Sequence, residues 1–118
     1  VRAVEDPALV EELARRGMPL EVCPSSNVCL GVFPSLAAHS FERLRGAGVR
    51  VSVNSDDPPM FDTTLSQEYS RLAATFGYDR ERLVELARAG VRDAFLTAAE
   101  RPAIEADFAE RLATVLAR

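Results

Sequence analysis

Lysine is absent from this chain, and all 14 of its basic residues are arginine. No lysine ammonium is therefore available to neutralise a phosphorylated aspartate. Histidine occurs once, at His39, so a metal centre that needs several imidazoles cannot be assembled from these residues alone. Cysteine occurs twice, at Cys23 and Cys29, with five residues between them. That spacing is neither a CxxC redox pair nor half of a zinc knuckle, and both thiols are expected to be reduced. No apolar run nears the roughly 20 residues that span a bilayer. The opening Val1-Arg2-Ala3-Val4-Glu5-Asp6 also lacks a basic-then-apolar export pattern, which leaves the cytoplasm as the expected location. Positive charge is not clustered: the arginines are interleaved with 18 acids at a formal net charge of -4, which argues against a nucleic-acid backbone as partner. Repeats and low-complexity segments are missing as well.

What is present is a chain of 118 residues with 47% apolar content, enough for one modest core, so residues 1–118 read as a single globular unit. Asp6-Pro7 opens a helical pattern with Leu9, Val10, Leu13 and Ala14 on one stripe, Asp6 as N-cap and Gly17 as terminator. Pro19 to Pro24 reads as a short strand, followed by a polar turn at Ser25-Ser26-Asn27. Pro34 through Arg45 reads as a second helix carrying Leu36, Ala37, Phe41 and Leu44, ended by Gly46-Ala47-Gly48 before a second strand, Val49 to Asn54. Thr63 or Thr64 is positioned to cap a helix running to about Phe76, Asp79 another running to about Phe95, and a last helix follows Pro102. Strands alternating with helices at these intervals indicate βα units around a parallel sheet with right-handed crossovers. Two strands cannot cover four or five amphipathic helices, so the chain is expected to be the end of a larger α/β domain. It also starts without an initiator methionine, directly before a helix, consistent with a fragment.

The second strand ends at Asn54-Ser55-Asp56-Asp57-Pro58. Pro58 cannot donate to a ladder and biases Asp57 toward an extended backbone, so the chain leaves the sheet at two acids. In parallel α/β proteins, ligands gather beyond the carboxyl ends of the strands, and carboxylate oxygens there commonly hold metal ions. Asp56 and Asp57 are therefore candidates for a metal ligand and a substrate-binding acid. Consecutive acids diverge in direction and are expected to do different jobs; the competing reading is an ordinary Asp-Pro turn. Asn54 and Ser55 are placed to orient the acids. Ser25-Ser26-Asn27 follows the other strand and offers hydroxyl and amide groups to a pocket, with a helix cap or turn as the favoured alternative. Cys23 and Cys29 read as small core residues rather than nucleophiles, and His39 as a surface residue of a helix. The arginines and acids from Arg80 to Glu85 read as a solvated helix face.

The motifs Glu5-Asp6-Pro7, Leu20-Glu21-Val22-Cys23-Pro24-Ser25-Ser26-Asn27, Val51-Ser52-Val53-Asn54-Ser55-Asp56-Asp57-Pro58, Met60-Phe61, Thr64-Leu65 and Glu68-Tyr69 occur in one order. In that order they resemble the C-terminal part of the adenosine deaminase family of zinc-dependent aminohydrolases, within the amidohydrolase superfamily. The resemblance implies a (β/α)8 TIM barrel, of which this chain would supply the last two strands and the C-terminal helices, the complete barrel needing about 250 residues. It implies Zn2+ as cofactor, with Asp56 as a zinc ligand that also hydrogen-bonds the attacking water. Asp57 would hold N7 of the purine. Zinc would make hydroxide available at neutral pH for attack on purine C6, releasing ammonia. The family's HxH pair, its two further histidines and its proton-shuttling glutamate have no counterpart here, so the isolated chain is expected to be inactive. The segment Met60 to Leu65 is similar to the nucleoside-deaminating branch, which implies a small-molecule purine nucleoside as partner, adenosine or a modified relative such as 6-aminodeoxyfutalosine.

Two rivals stand beside this reading. One is a non-catalytic α/β binding module holding magnesium on its paired acids, as in response-regulator receivers. The missing lysine and the shortage of strands count against it. The other is a scaffold fragment whose helices pair with another chain and whose exposed strand edges promote aggregation.

Overall fold

The computed structural model describes residues 1–117. A short 3-10 turn at Arg2–Glu5 leads into α1 (Pro7–Arg16), β1 (Pro19–Val22), α2 (Pro24–Cys29), α3 (Phe41–Gly46), β2 (Arg50–Val53), α4 (Pro58–Phe61), α5 (Leu65–Phe76), α6 (Arg80–Asp93) and α7 (Arg101–Leu116). The helix starts follow the residues that satisfy their first free N–H groups. Asp6, Asp57, Thr64 and Asp79 each cap one helix through a side-chain oxygen. Gly17 and Gly77 close α1 and α5 with φ of 61° and 70°, a left-handed turn that glycine adopts without a Cβ penalty.

The two strands are parallel, in the register Pro19 to Arg50, Leu20 to Val51, Glu21 to Ser52 and Val22 to Val53. Asn54 N donates to Val22 O at 2.9 Å and carries the ladder one residue further. Val49, Val51 and Val53 pack on one face with Val22, Phe41, Leu44, Leu72 and Leu86, all buried, and this cluster is the core. The opposite face of β2 is not open to water either, since Ser52 is 5% exposed. Helix α6 lies along β2 and α5 crosses its end, burying Leu86 and Leu72. At the opposite end, Arg50 pairs with Asp93 of α6 and donates to Gly17 O at 3.1 Å, tying the start of β2 to two helices. No helix among the described residues is long and apolar enough to cross a membrane.

Four local expectations are corrected. Ser25-Ser26-Asn27 is not a turn but the first half of α2, because Pro24 occupies the first helical position with its φ already set and Asn27 N bonds Cys23 O at 2.9 Å. The helix expected from Pro34 to Arg45 spans only Phe41–Gly46. Upstream of Phe41, side chains compete for the backbone: Ser35 Oγ accepts from Ala38 N, and His39 Nδ1 accepts from Phe41 N at 2.9 Å. His39 is accordingly not on a helix surface; it is 2% exposed, with its ring 4.5 Å from that of Phe33. Cys29 is exposed and Cys23 only half-buried, so neither is a core residue. The one-turn helix α4 was not legible as a helix at all.

Burial pushes the His39 imidazole down from 6.5 to about 4, helped by the positive charge of Arg43. Between those values the unfolded chain binds a proton that the folded chain refuses, so the stability from this site is whole above pH 6.5 and declines as pH falls toward 4. Denaturant unfolding at a series of pH values is expected to show this as a slope of up to about 1.4 kcal/mol per pH unit that His39→Gln removes.

Candidate active site

Parallel pairing in register puts the carboxyl ends of β1 and β2 side by side, so the segments that leave them share one rim. From β1 come Ser25 and Ser26, both buried in the first turn of α2. From β2 come Asn54, Ser55, Asp56 and Asp57, with both acids exposed. A direct contact joins the two exits: Ser26 Oγ donates to Asp56 Oδ2 at 2.7 Å. Ser26 is 1% exposed and so is fixed by its surroundings, whereas Asp56 as a residue is exposed.

Asp56 itself sits at φ 59°, in the left-handed region that non-glycine residues seldom occupy. Asp57 returns to an extended backbone and its Oδ1 accepts from Met60 N at 3.1 Å, capping α4. The two acids thus have different hydrogen-bond partners, Ser26 Oγ for Asp56 and Met60 N for Asp57. The expected service of Asn54 and Ser55 is corrected: Asn54 Nδ2 donates to Ser52 Oγ at 3.0 Å and bonds neither acid, and the group that orients Asp56 is Ser26 from the other strand.

Beneath the rim lies a polar cluster that residue-by-residue reading missed. Glu68 of α5, 1% exposed, accepts from Ser25 N at 3.0 Å through Oε2 and from Thr63 Oγ1 through Oε1. Arg71 donates to Ser25 Oγ at 2.7 Å and to Thr63 Oγ1 at 3.1 Å, and its guanidinium lies 3.5 Å from Glu68. The signal was available in the helical period. Glu68 precedes Leu72 by four residues and Phe76 by eight, so it stands on the stripe of α5 that faces the core.

As a metal ligand set the rim is partial. Among the described residues no group of three or more His, Cys, Asp and Glu side chains could enclose an ion. His39 is committed elsewhere, with Nδ1 taken by Phe41 N and Nε2 by Asn27 Oδ1 at 3.0 Å. Burial, with the Asp56 charge in second place, pushes the Cys23 thiol up, which disfavours the thiolate a metal would need. Asp56 does fit one coordination position: a hard carboxylate at a strand end, with one oxygen anchored on a residue that is otherwise exposed. A hollow of about 590 Å³, lined by Val53, Asn54, Leu65, Tyr69, Val91 and Phe108, borders the same strand exit. Its size falls in the range of small-molecule sites, roughly 300–1,000 Å³.

A family model described as adenosine deaminase matches residues 1–111. An adenine deaminase of Rhizobium leguminosarum bv. trifolii is 48% identical over 104 residues, which is 88% of this chain and 32% of that protein. An adenine deaminase of Agrobacterium fabrum is 45% identical over 101 residues, 86% of this chain and 31% of its own length. The chain therefore spans about a third of the length of these relatives. Among solved structures, an adenine deaminase from Arthrobacter aurescens superposes with a TM-score of 0.84 at 29% identity, over 95% of this chain and 34% of that one. The N6-methyl-AMP deaminase of Arabidopsis thaliana superposes at 0.81 with 25% identity, over 89% and 31%. The helix-rich α/β arrangement with a two-stranded parallel sheet is thus shared with purine deaminases.

Asp57 has a structural duty that can be separated from any chemical one. Asp57→Ala is expected to lower stability by about 1 kcal/mol through loss of the α4 cap, whereas Asp57→Asn keeps the capping oxygen and stays near the wild type. Thermal or denaturant unfolding of the two variants checks this.

Proposed function

The chain belongs to the adenosine deaminase family, and on that premise we propose that it forms the closing part of the active site of a hydrolase that exchanges the 6-amino group of a purine for oxygen. The observation that carries the proposal is Asp56, set beyond the end of β2 and fastened by a buried hydroxyl from the neighbouring strand. In this reading β1 and β2 are the last two strands of a (β/α)8 barrel, and the remaining two thirds of the polypeptide supplies the histidine ligands and the proton-shuttling glutamate. Zinc is the proposed cofactor; when bound, it supplies a Lewis-acidic centre that makes water nucleophilic at neutral pH.

Each residue of this chain then has a definite task. Ser26 occupies Asp56 Oδ2 with its hydroxyl, which would leave the other carboxylate oxygen to coordinate metal and to accept a hydrogen bond from the attacking water. Asp57 keeps Oδ1 on Met60 N and has Oδ2 to offer the ring. N7 of a purine is itself an acceptor, so a carboxyl facing it must share a proton with it. That contact draws electron density from the ring and makes C6 more electrophilic. Water oxygen bonds to C6 and gives up its two protons, one to ring N1 and one to N6; the C6–N6 bond breaks, and ammonia leaves a 6-oxo product.

Free adenine is the preferred substrate in this reading. The motif from Met60 to Leu65 pointed toward a nucleoside, but the relatives at 45–48% identity are adenine deaminases, and their likeness spans most of this chain rather than one segment. A single carboxylate cannot hold zinc firmly by itself, so the 118 residues alone are not expected to turn over.

In the complete polypeptide, Asp56→Ala is expected to abolish zinc-dependent deamination, and unchanged turnover would sink the assignment. Ser26→Ala, which frees the anchored oxygen, is expected to lower zinc affinity or kcat by about 10-fold to 100-fold. Ammonia release from adenine and adenosine in parallel decides the substrate: a higher kcat/KM for adenine supports the base, and a higher value for adenosine supports the nucleoside.

A further inference from the structure

We propose that Glu68 is a positioning residue for the metal-binding acid, a proposal that rests on the reading of Asp56 given above. Glu68 reaches both segments that meet at the rim. Through Oε2 it accepts from Ser25 N, the residue directly before the one that holds Asp56. Through Oε1 it accepts from Thr63, where the loop carrying Asp56 and Asp57 returns to the fold.

The first contact substitutes for something α2 lacks. Its N-cap is Cys23, whose side chain makes no capping bond, so the N–H groups of its first turn have no local acceptor. The Glu68 carboxylate, 43 residues away in sequence, takes that place at Ser25 N. A six-residue helix has little cooperative stability of its own, so the direction of its first turn depends on such outside contacts. The direction of that turn is the direction of Ser26 Oγ.

The second contact acts on the loop. Between Val53 and Leu65 the chain passes through two left-handed residues, Asp56 and Asp62, a path that persists only where its ends are held. Thr63 is 4% exposed and fixes the end nearer α5, by way of Glu68 and Arg71. Arg71 also donates to Asp62 O at 3.4 Å, so the loop closure and the α2 start are held from one carboxylate and one guanidinium. A role confined to stability would be served by an apolar residue on this face of α5. A buried carboxylate with both oxygens engaged on the two segments around Asp56 is what positioning requires.

The test uses the complete polypeptide, with Glu68→Gln as the main variant because it preserves shape and one acceptor oxygen, and Glu68→Ala beside it. Three quantities are read: the unfolding midpoint, zinc affinity by chelator competition, and the Ser26 Oγ to Asp56 Oδ2 separation in a crystal structure. Glu68→Gln is expected to remain folded, to bind zinc at least about tenfold more weakly, and to lengthen the Ser26–Asp56 contact beyond hydrogen-bond range, with kcat falling more than KM changes. A variant that loses thermal stability but keeps that contact and the wild-type zinc affinity overturns the proposal and leaves Glu68 a structural residue. If the wild type neither binds zinc nor deaminates, the functional reading fails separately, and the crystallographic separation still decides whether Glu68 positions Asp56.

Discussion

Everything at the rim depends on the parallel pairing of two four-residue strands. Side chains alternate along a strand, so a slip of one residue would invert every face of β2. The valines at 49, 51 and 53 would leave the core, and the exit to Asp56 would no longer stand beside the exit to Ser26. The register is held from both ends. Arg50 grips Asp93 and Gly17 at one end, and Asn54 continues the ladder to Val22 at the other. Hydrophobic burial supplies the driving force, with Phe41, Leu44 and Leu72 wholly buried against the valines. The hydrogen bonds select the alignment.

Charge is used differently in different parts of the molecule. Most ion pairs lie on helix surfaces at spacings of three or four residues, such as Arg111 with Asp107 and Arg101 with Glu105, where water screens them and they contribute little. Two are different. Asp93 and Glu68 have side chains 3% and 1% exposed, and each is tied to partners more than 40 residues away. Withdrawing a carboxylate from water costs several kcal/mol, which is tolerable only when its oxygens are fully engaged. One such acid secures the amino end of β2; the other lies under its carboxyl end. The strand that presents the acid pair is thus bracketed by buried carboxylates.

Much of this was legible in the amino-acid order. The caps at Asp6, Thr64 and Asp79 and the glycines at 17 and 77 marked helix ends because they solve a local problem that propensity and backbone freedom express directly. Both strands and the acid pair beyond the second were equally local. What failed did so where local cues were overridden. Pro24 turned a polar tripeptide into a helix, and the ring of His39 captured a backbone N–H that a helix would have used. The bond from Ser26 to Asp56 and the Glu68 cluster join residues 30 and 43 positions apart, a range that pattern reading does not reach.

The left-handed backbone at Asp56 narrows what evolution or an engineer can place there. Glycine adopts φ near 59° freely but brings no ligand, and asparagine tolerates it but carries no charge. Cysteine or glutamate would bring a donor of another reach or softness and meet the steric resistance of that conformation, while histidine, which tolerates it better, would bring a nitrogen donor of longer reach. Conformation and chemistry therefore restrict the position from two independent directions, and aspartate satisfies both. The backbone acts here as a filter on side chains: the shape of the turn favours a short polar residue at this corner.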